Sequence, residues 1–399
     1  MLLILLVLVL LAMTIIGWYV SRDIFSPFFV QPGVWVAIFL LYFIISPNYL
    51  TIGYHLPLSL LLFSLTFMVG SYLSFYFTQN SPGTILAPDP NQTIVKAYLW
   101  ISLLTIPYML FVVIRMALDK DPEHILLFIR MVNTGYSDDP EAHIDFGVAS
   151  YAIPIPYVLL LFALFYTKSK WQKALVIFLN ILVGVLSMSK TNFLSIIFAI
   201  VYLLHVQKKI KPKTIAWTFL IFFVVMMAFQ FIRSSDSDQE SFGLAHTLSM
   251  YLFTGFVAYD HFSIPESAHY FGENCLRFVY AITYALGGDI PPVNTLNEFV
   301  EVPQPTNVFT ILHPFNVDFG YPGLFVFGLL YGLLYGFLYK KTGHPHNVYK
   351  IIYTIFLNYL LLEFFAEYIL LNLSLTIQYL LYAILPFLIA PRKEKQNGT

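Results

Sequence analysis

Apolar blocks of about the length that carries a helix across ~30 Å of hydrocarbon alternate with short polar links along this chain. Eleven are recognisable, near residues 2–20, 30–47, 56–78, 95–118, 147–167, 173–188, 192–207, 214–232, 320–340, 349–369 and 373–390. Such runs lack the alternating rhythm of a transmembrane barrel. They predict an all-α, polytopic membrane bundle forming one domain over 1–399. The first block, MLLILLVLVLLAMTIIGWYV, has neither a basic leader nor a small-residue cleavage site, so it reads as a span and not as a removed signal peptide. The sixth and seventh blocks, separated by SMSKT, read as a tight helical hairpin whose turn holds Lys190.

Two later stretches break the rhythm. GLAHTLSMYLFTGFVAYDHF (243–262) is long enough to span, whereas CLRFVYAITYALGG (275–288) is short and carries Arg277. Basic residues are retained on the cytoplasmic side of a membrane, and here they decide the matter. KSKWQK (168–173), QKKIKPK (207–213), the pair Lys340 and Lys341, and the tail PRKEK share one face if neither stretch crosses or if both do. Two crossings would put SIPESAHYFGEN, acidic and without Lys or Arg, in the cytoplasm. Both are therefore expected to be helices in the outer interface, within one large outer loop, 233–319. A smaller outer loop, 119–146, contains EHILLFIRMV, whose Ile125, Leu126 and Ile129 suit a short interfacial helix.

Composition agrees, with 58% hydrophobic and 11% charged residues, far from the soluble balance. A net charge of -1 gives no reason to expect nucleic acid as a partner. Cys275 is the only cysteine, which excludes an intrachain disulfide and a CxxC pair. A cysteine metal cluster is excluded with them, so metal chemistry would need His and carboxylates.

Six basic residues fall on the outer side of this topology: Arg115, Lys120, Arg130, Lys190, Arg233 and Arg277. An outward guanidinium near the membrane suits the phosphate of a lipid, which it can grip bidentately. Pairing with Asp236, Asp260, Glu273 or Asp289 suits it equally. Arg277, embedded in apolar sequence, is the strongest phosphate candidate. Glu363 and Glu367 are spaced i, i+4 on span ten, facing one side near its outer end. They read as functional carboxylates or as partners of an outer arginine. Thr306, Asn307, His313 and Asp318 crowd the entry to span nine. Asp318 reads as a base or as a cap of that helix, with Pro322 in the first turn and Gly320 and Gly323 for close packing. His313 reads as a base or a loop hydrogen-bonder, and Thr306 and Asn307 as a sugar contact or a turn.

The segments SMSKTNFLSIIFAIVYLL and PTNVFTILHPFNVDFGYPGLFVFGLLYGLLYGFLY, with the long outer loop between them, resemble the bacterial oligosaccharide repeat-unit polymerases, the O-antigen polymerase or Wzy group. That group has an S-[RK]-T turn in mid-chain and a T-N-x-[FY]-T … P … D-F-G-x-x-G segment entering a late span. The resemblance covers mainly 187–206 and 306–340. It implies a glycosyltransferase of the cytoplasmic membrane, working at the outer face without metal or nucleotide. The growing glycan would leave undecaprenyl pyrophosphate for a sugar hydroxyl of the next lipid-linked unit, in O-antigen, capsule or exopolysaccharide synthesis. A flippase and a chain-length regulator would be its partners. Under this resemblance Arg277, Arg233, Arg130 and Lys190 would meet the pyrophosphate, and His313 or Asp318 would serve as base. A flippase or a glycan ligase is the alternative.

Overall fold

A computed structural model describes residues 1–45, 48–79, 89–133, 144–187, 190–208, 249–343 and 347–389, with the isolated positions 213, 217, 220, 221 and 224. Among these the protein is predominantly helical, and seven helical segments are long and apolar enough to cross a membrane. They are α1 (Leu2–Ser21), α2 (Pro27–Ile45), α3 (His55–Phe77), α4 (Gln92–Lys120), the stretch Gly147–Tyr166 that ends in α6 (Ile155–Tyr166), α7 (Lys170–Ser187) and α11 (Leu312–Thr342). The remaining helices are α5 (Ile125–Asn133), α8 (Lys190–Val206), α9 (Thr254–Phe262), α10 (Arg277–Ala285), α12 (Val348–Leu361) and α13 (Leu373–Leu388). A two-stranded antiparallel ribbon pairs β1 (Val300–Glu301) with β2 (Pro305–Thr306).

Spans seven, ten and eleven of the sequence thus appear as the shorter helices α8, α12 and α13. Span eight lies almost wholly outside the described residues. Helices α9 and α10 have nine residues each, about 13 Å at ~1.5 Å per residue; residues 249–252, just before α9, are helical too, and those preceding them lie outside the described residues.

Contacts divide the chain into two compact units. The first comprises Met1–Asn80, Ser241–Gly343 and Ile355–Thr376; the second comprises Ser81–Glu240, His344–Thr354 and Ile377–Thr399. In the second unit α6 is the core element, with every residue from Ile155 to Leu164 buried. Asn180 of α7 is buried against it and donates to the Pro156 carbonyl at 2.8 Å. The α5 helix sends Ile129 inward.

The first unit is built on the seam between α3 and α11. Gly328, Gly332 and Gly336 recur every fourth residue, hence on one face of α11. A Cβ on Gly328 would lie 2.9 Å from the Phe63 carbonyl oxygen, and one on Gly332 would stand 2.9 Å from the Ser71 nitrogen and overlap the Phe67 carbonyl. Gly70 of α3 answers with the same closeness to α11, 2.9 Å from the Leu333 nitrogen. Between apolar helices in lipid, burial from water offers no drive, so this backbone approach supplies the dispersion contact that holds them. Aromatic rings flank the seam, Phe67 against Tyr335 at 5.6 Å and Phe63 against Phe315 at 6.1 Å between centroids.

Basic residues collect at one end of this unit. Arg22 closes α1, Tyr339 donates to Asp23 at 2.9 Å, Lys341 donates to the Gln79 carbonyl at 2.8 Å, and Lys340 lies over the Phe75 ring. The opposite end carries the start of α3, the start of α11 and the covering segment 263–276.

Candidate functional site

The site grows from a break in α11. Gly320 has φ 59 and ψ -149, a conformation that favours glycine, and it separates a first limb, residues 312–319, from the long apolar limb. A break frees the carbonyls at the end of the first limb, and Pro322 has no N–H to offer. Segment 263–276 fills the need, with Glu266 N–H donating to the Asn316 carbonyl at 3.1 Å and Ala268 N–H to that of Val317 at 3.3 Å. The positive φ favours glycine at the break, and a Cβ on Gly320 would also displace the Glu266 side chain, whose Oε1 would lie 2.8 Å away.

Asp318, on the same limb, spends its carboxylate on this strap. It accepts from the Asn274 backbone N–H at 3.2 Å, the Asn274 side-chain amide at 2.8 Å and the Cys275 N–H at 2.7 Å. It therefore does not cap its own helix; it pins the turn that opens α10, two residues ahead of Arg277. The Cys275 thiol is buried there, and desolvation and the nearby Asp318 push its pKa up, leaving it inert.

Arg277 begins α10 and is half-buried. Its Nε donates to the Val293 carbonyl at 2.7 Å, and among the described residues no carboxylate lies within ion-pair distance. Neither Nη group has an acceptor among the described residues. Partial burial pulls the guanidinium pKa down, so an anion placed here would offset a desolvation already incurred.

His313 is stacked on Phe309 with centroids 4.2 Å apart, and its Nδ1 is 2.6 Å from the Ser263 hydroxyl. Its Nε2 makes no hydrogen bond among the described residues. Asn316 extends the cluster by donating to the Ser263 carbonyl at 3.0 Å and standing 3.3 Å from His55 Nε2. His55 is stacked on Tyr259 and meets the Tyr321 hydroxyl at 3.2 Å through Nδ1. Asp260 accepts from the Leu56 N–H at 2.7 Å and from the Gly53 N–H, and so caps α3 beside His55. Asn316 belongs to the polar entry that the sequence marks before span nine, whereas His55, Ser263 and Tyr321 have no place in the sequence-based site. A lone polar residue at the start of the third apolar block was the one signal for His55.

The other expected residues lie elsewhere. Thr306 is buried in β2, its hydroxyl accepting from the Val308 N–H at 3.2 Å, while the Asn307 carbonyl accepts from Asn297 at 3.4 Å. Both shape the ribbon just before α11. Glu363 and Glu367 are not on one helical face, because α12 ends at Leu361 and both residues sit in the buried, non-helical stretch before α13. Glu367 accepts from the Tyr331 hydroxyl and from the N–H groups of Ile369, Leu370 and Leu371. The Glu363 carbonyl receives the Ile311 N–H at 2.8 Å, tying this turn to the start of α11. Arg130, half-buried on α5, and Lys190, the first residue of α8, belong to the second unit. Arg233 lies outside the described residues. Among the described residues no three His, Cys, Asp or Glu side chains are grouped as metal ligands.

No family model, curated protein or solved structure matches the chain. The site must be judged on its own chemistry, which is a guanidinium with an open fork, a neutral-base candidate with one free nitrogen, and a strap that fixes both against a broken helix.

Proposed function

We propose that the protein polymerises oligosaccharide repeat units carried on undecaprenyl pyrophosphate, at the extracytoplasmic face of a bacterial cytoplasmic membrane. One observation carries this reading: Arg277 is anchored through Nε alone, with its two Nη groups unspent, at the end of the first unit away from Arg22, Lys340 and Lys341. If that basic end faces the cytoplasm, Arg277 is on the outer side. In the transfer, the oxygen of a sugar hydroxyl bonds to the anomeric carbon of the growing glycan. The bond from that carbon to the pyrophosphate oxygen breaks, and the hydroxyl proton passes to His313 Nε2. Negative charge develops on the departing pyrophosphate, where the preorganised guanidinium lowers the barrier. Ser263 orients the imidazole, and Asp318 acts as a positioning residue through the strap. Arg130, Lys190 and Arg233 remain proposed phosphate contacts, and a flippase and a chain-length regulator the proposed partners.

In the strain carrying this chain, Arg277→Ala and His313→Ala should leave membrane abundance unchanged and reduce the surface glycan to single units. Arg277→Lys should be nearly as poor if fork geometry matters. Full-length polymer from Arg277→Ala would reject the assignment. The interrupted stretch between α12 and α13, with its buried carboxylates, favours a second reading as a transporter of the same lipid-linked unit, since broken helices mark transporter sites. Deleting the gene separates the two: a polymerase leaves single-unit glycan outside, a flippase leaves none.

A further inference from the structure

We propose that Glu363 is a proton-binding site inside the first unit, held as the neutral acid by Gln31 of α2. This does not depend on the polymerase reading. Glu363 is 0% exposed, and so is Gln31. Among the described residues the Glu363 carboxyl group has one hydrogen bond, received from Gln31 Nε2 at 3.3 Å, and that amide also reaches the Ser64 hydroxyl of α3 at 3.0 Å. The Trp35 indole N–H lies beside the carboxyl group and, among the described residues, has no other acceptor. Two oxygens are left buried without partners among the described residues, Oε2 of Glu363 and Oε1 of Gln31. No Lys or Arg lies within ion-pair distance of Glu363 among the described residues.

Glu367, four residues on, shows how many donors a carboxyl group can gather in this interior: one hydroxyl and three backbone N–H groups. Glu363 receives one long bond, which leaves a buried negative charge without compensation. One proton on Oε2 resolves both orphans. A carboxylic acid and a primary amide form a cyclic pair, in which the amide N–H is given to the acid carbonyl and the acid O–H to the amide oxygen. Gln31 already supplies the first half, and its unpartnered Oε1 is the acceptor for the second. A bound metal cation fits less well, because the nearest group is an amide NH₂ that repels it. The proton sits where α2, α3 and the turn between α12 and α13 meet, so its loss would place a charge in the packed centre of the unit.

The test is infrared spectroscopy of the full chain in lipid nanodiscs, in water and deuterium oxide, with and without sodium ions. The carbonyl stretch of a neutral carboxyl group, shifted by deuterium, is expected with and without sodium. It should vanish in Glu363→Gln and persist in Glu367→Gln. Glu363→Asp should move the band and not abolish it, which keeps the test open if Glu363→Gln fails to accumulate. Three results would overturn the proposal: no such band in the parent protein, a band that Glu363→Gln leaves in place, or a band seen only when sodium is withdrawn.

Discussion

Replacing Asp318 by Ala asks whether this carboxylate reacts or positions. The substitution removes three hydrogen bonds, two of them from the backbone N–H groups of Asn274 and Cys275. Bonds to a charged acceptor contribute about 1.5–3 kcal/mol each, and orphaned buried donors cost about 1–3 kcal/mol. Asp318 and Asn274 are only partly buried, so water recovers a share, leaving a local loss of about 2–4 kcal/mol by the same scale. At about 1.4 kcal/mol per tenfold, amide protection across the start of α10 should fall about 30- to 1,000-fold. The α3–α11 seam should keep its protection, because it shares no bond with the carboxylate. Hydrogen exchange with mass spectrometry, read on peptides covering 270–285 and 325–340, measures both regions in one sample. Polymer length should collapse in parallel as Arg277 loses its anchor. Unchanged protection at 274–277 with lost polymerisation would refute the positioning role and return Asp318 to direct chemistry.

The seam itself should be intolerant of bulk: Gly332→Leu has to push against the Phe67 carbonyl and the Ser71 nitrogen, a misfit of at least about 1–3 kcal/mol. A lowered melting temperature in detergent should report it, and an unchanged one would mean that the helices part freely. Sidedness is open to cysteine labelling, since Cys275 is buried and gives little background. A membrane-impermeant maleimide applied to intact cells should modify Ser267→Cys on the strap and spare Gly343→Cys beyond α11. The reverse pattern would place Arg277 in the cytoplasm and end the polymerase proposal.

Much of the helical framework was legible because span length and hydrophobicity are properties of single segments. Charge parity along the chain argued that neither 243–262 nor 275–288 crosses; nine-residue helices lie in each stretch, and residues 243–248 are outside the described residues. Interhelical closeness was not legible in that way. Gly328, Gly332 and Gly336 read at first as ordinary members of an apolar run, and only the partner carbonyls of Phe63, Phe67 and Ser71 reveal why a side chain is excluded. The i, i+4 reading of Glu363 and Glu367 failed for a related reason. It assumed that helix continues wherever the sequence is apolar, yet the carboxylate of Glu367 gathers three successive N–H groups and so sustains a non-helical turn.

That failure recurs among the acids of the first unit. Asp260 holds the start of α3, Asp318 the turn before α10 and Glu367 the turn before α13, each through backbone N–H donors. A carboxylate committed to such donors has its oxygens turned to the backbone and is poorly placed to meet a substrate hydroxyl. Residue type alone cannot distinguish these acids from a catalytic one; only the donors around them do. Among the described residues, what remains unspent at the strap is the fork of Arg277 and the Nε2 of His313. The chemistry open to the site is therefore charge stabilisation with an imidazole base. Exchanging Asp318 for Glu, which keeps the charge but lengthens the reach, should then harm the protein through the geometry of the strap and not through the loss of a proton acceptor.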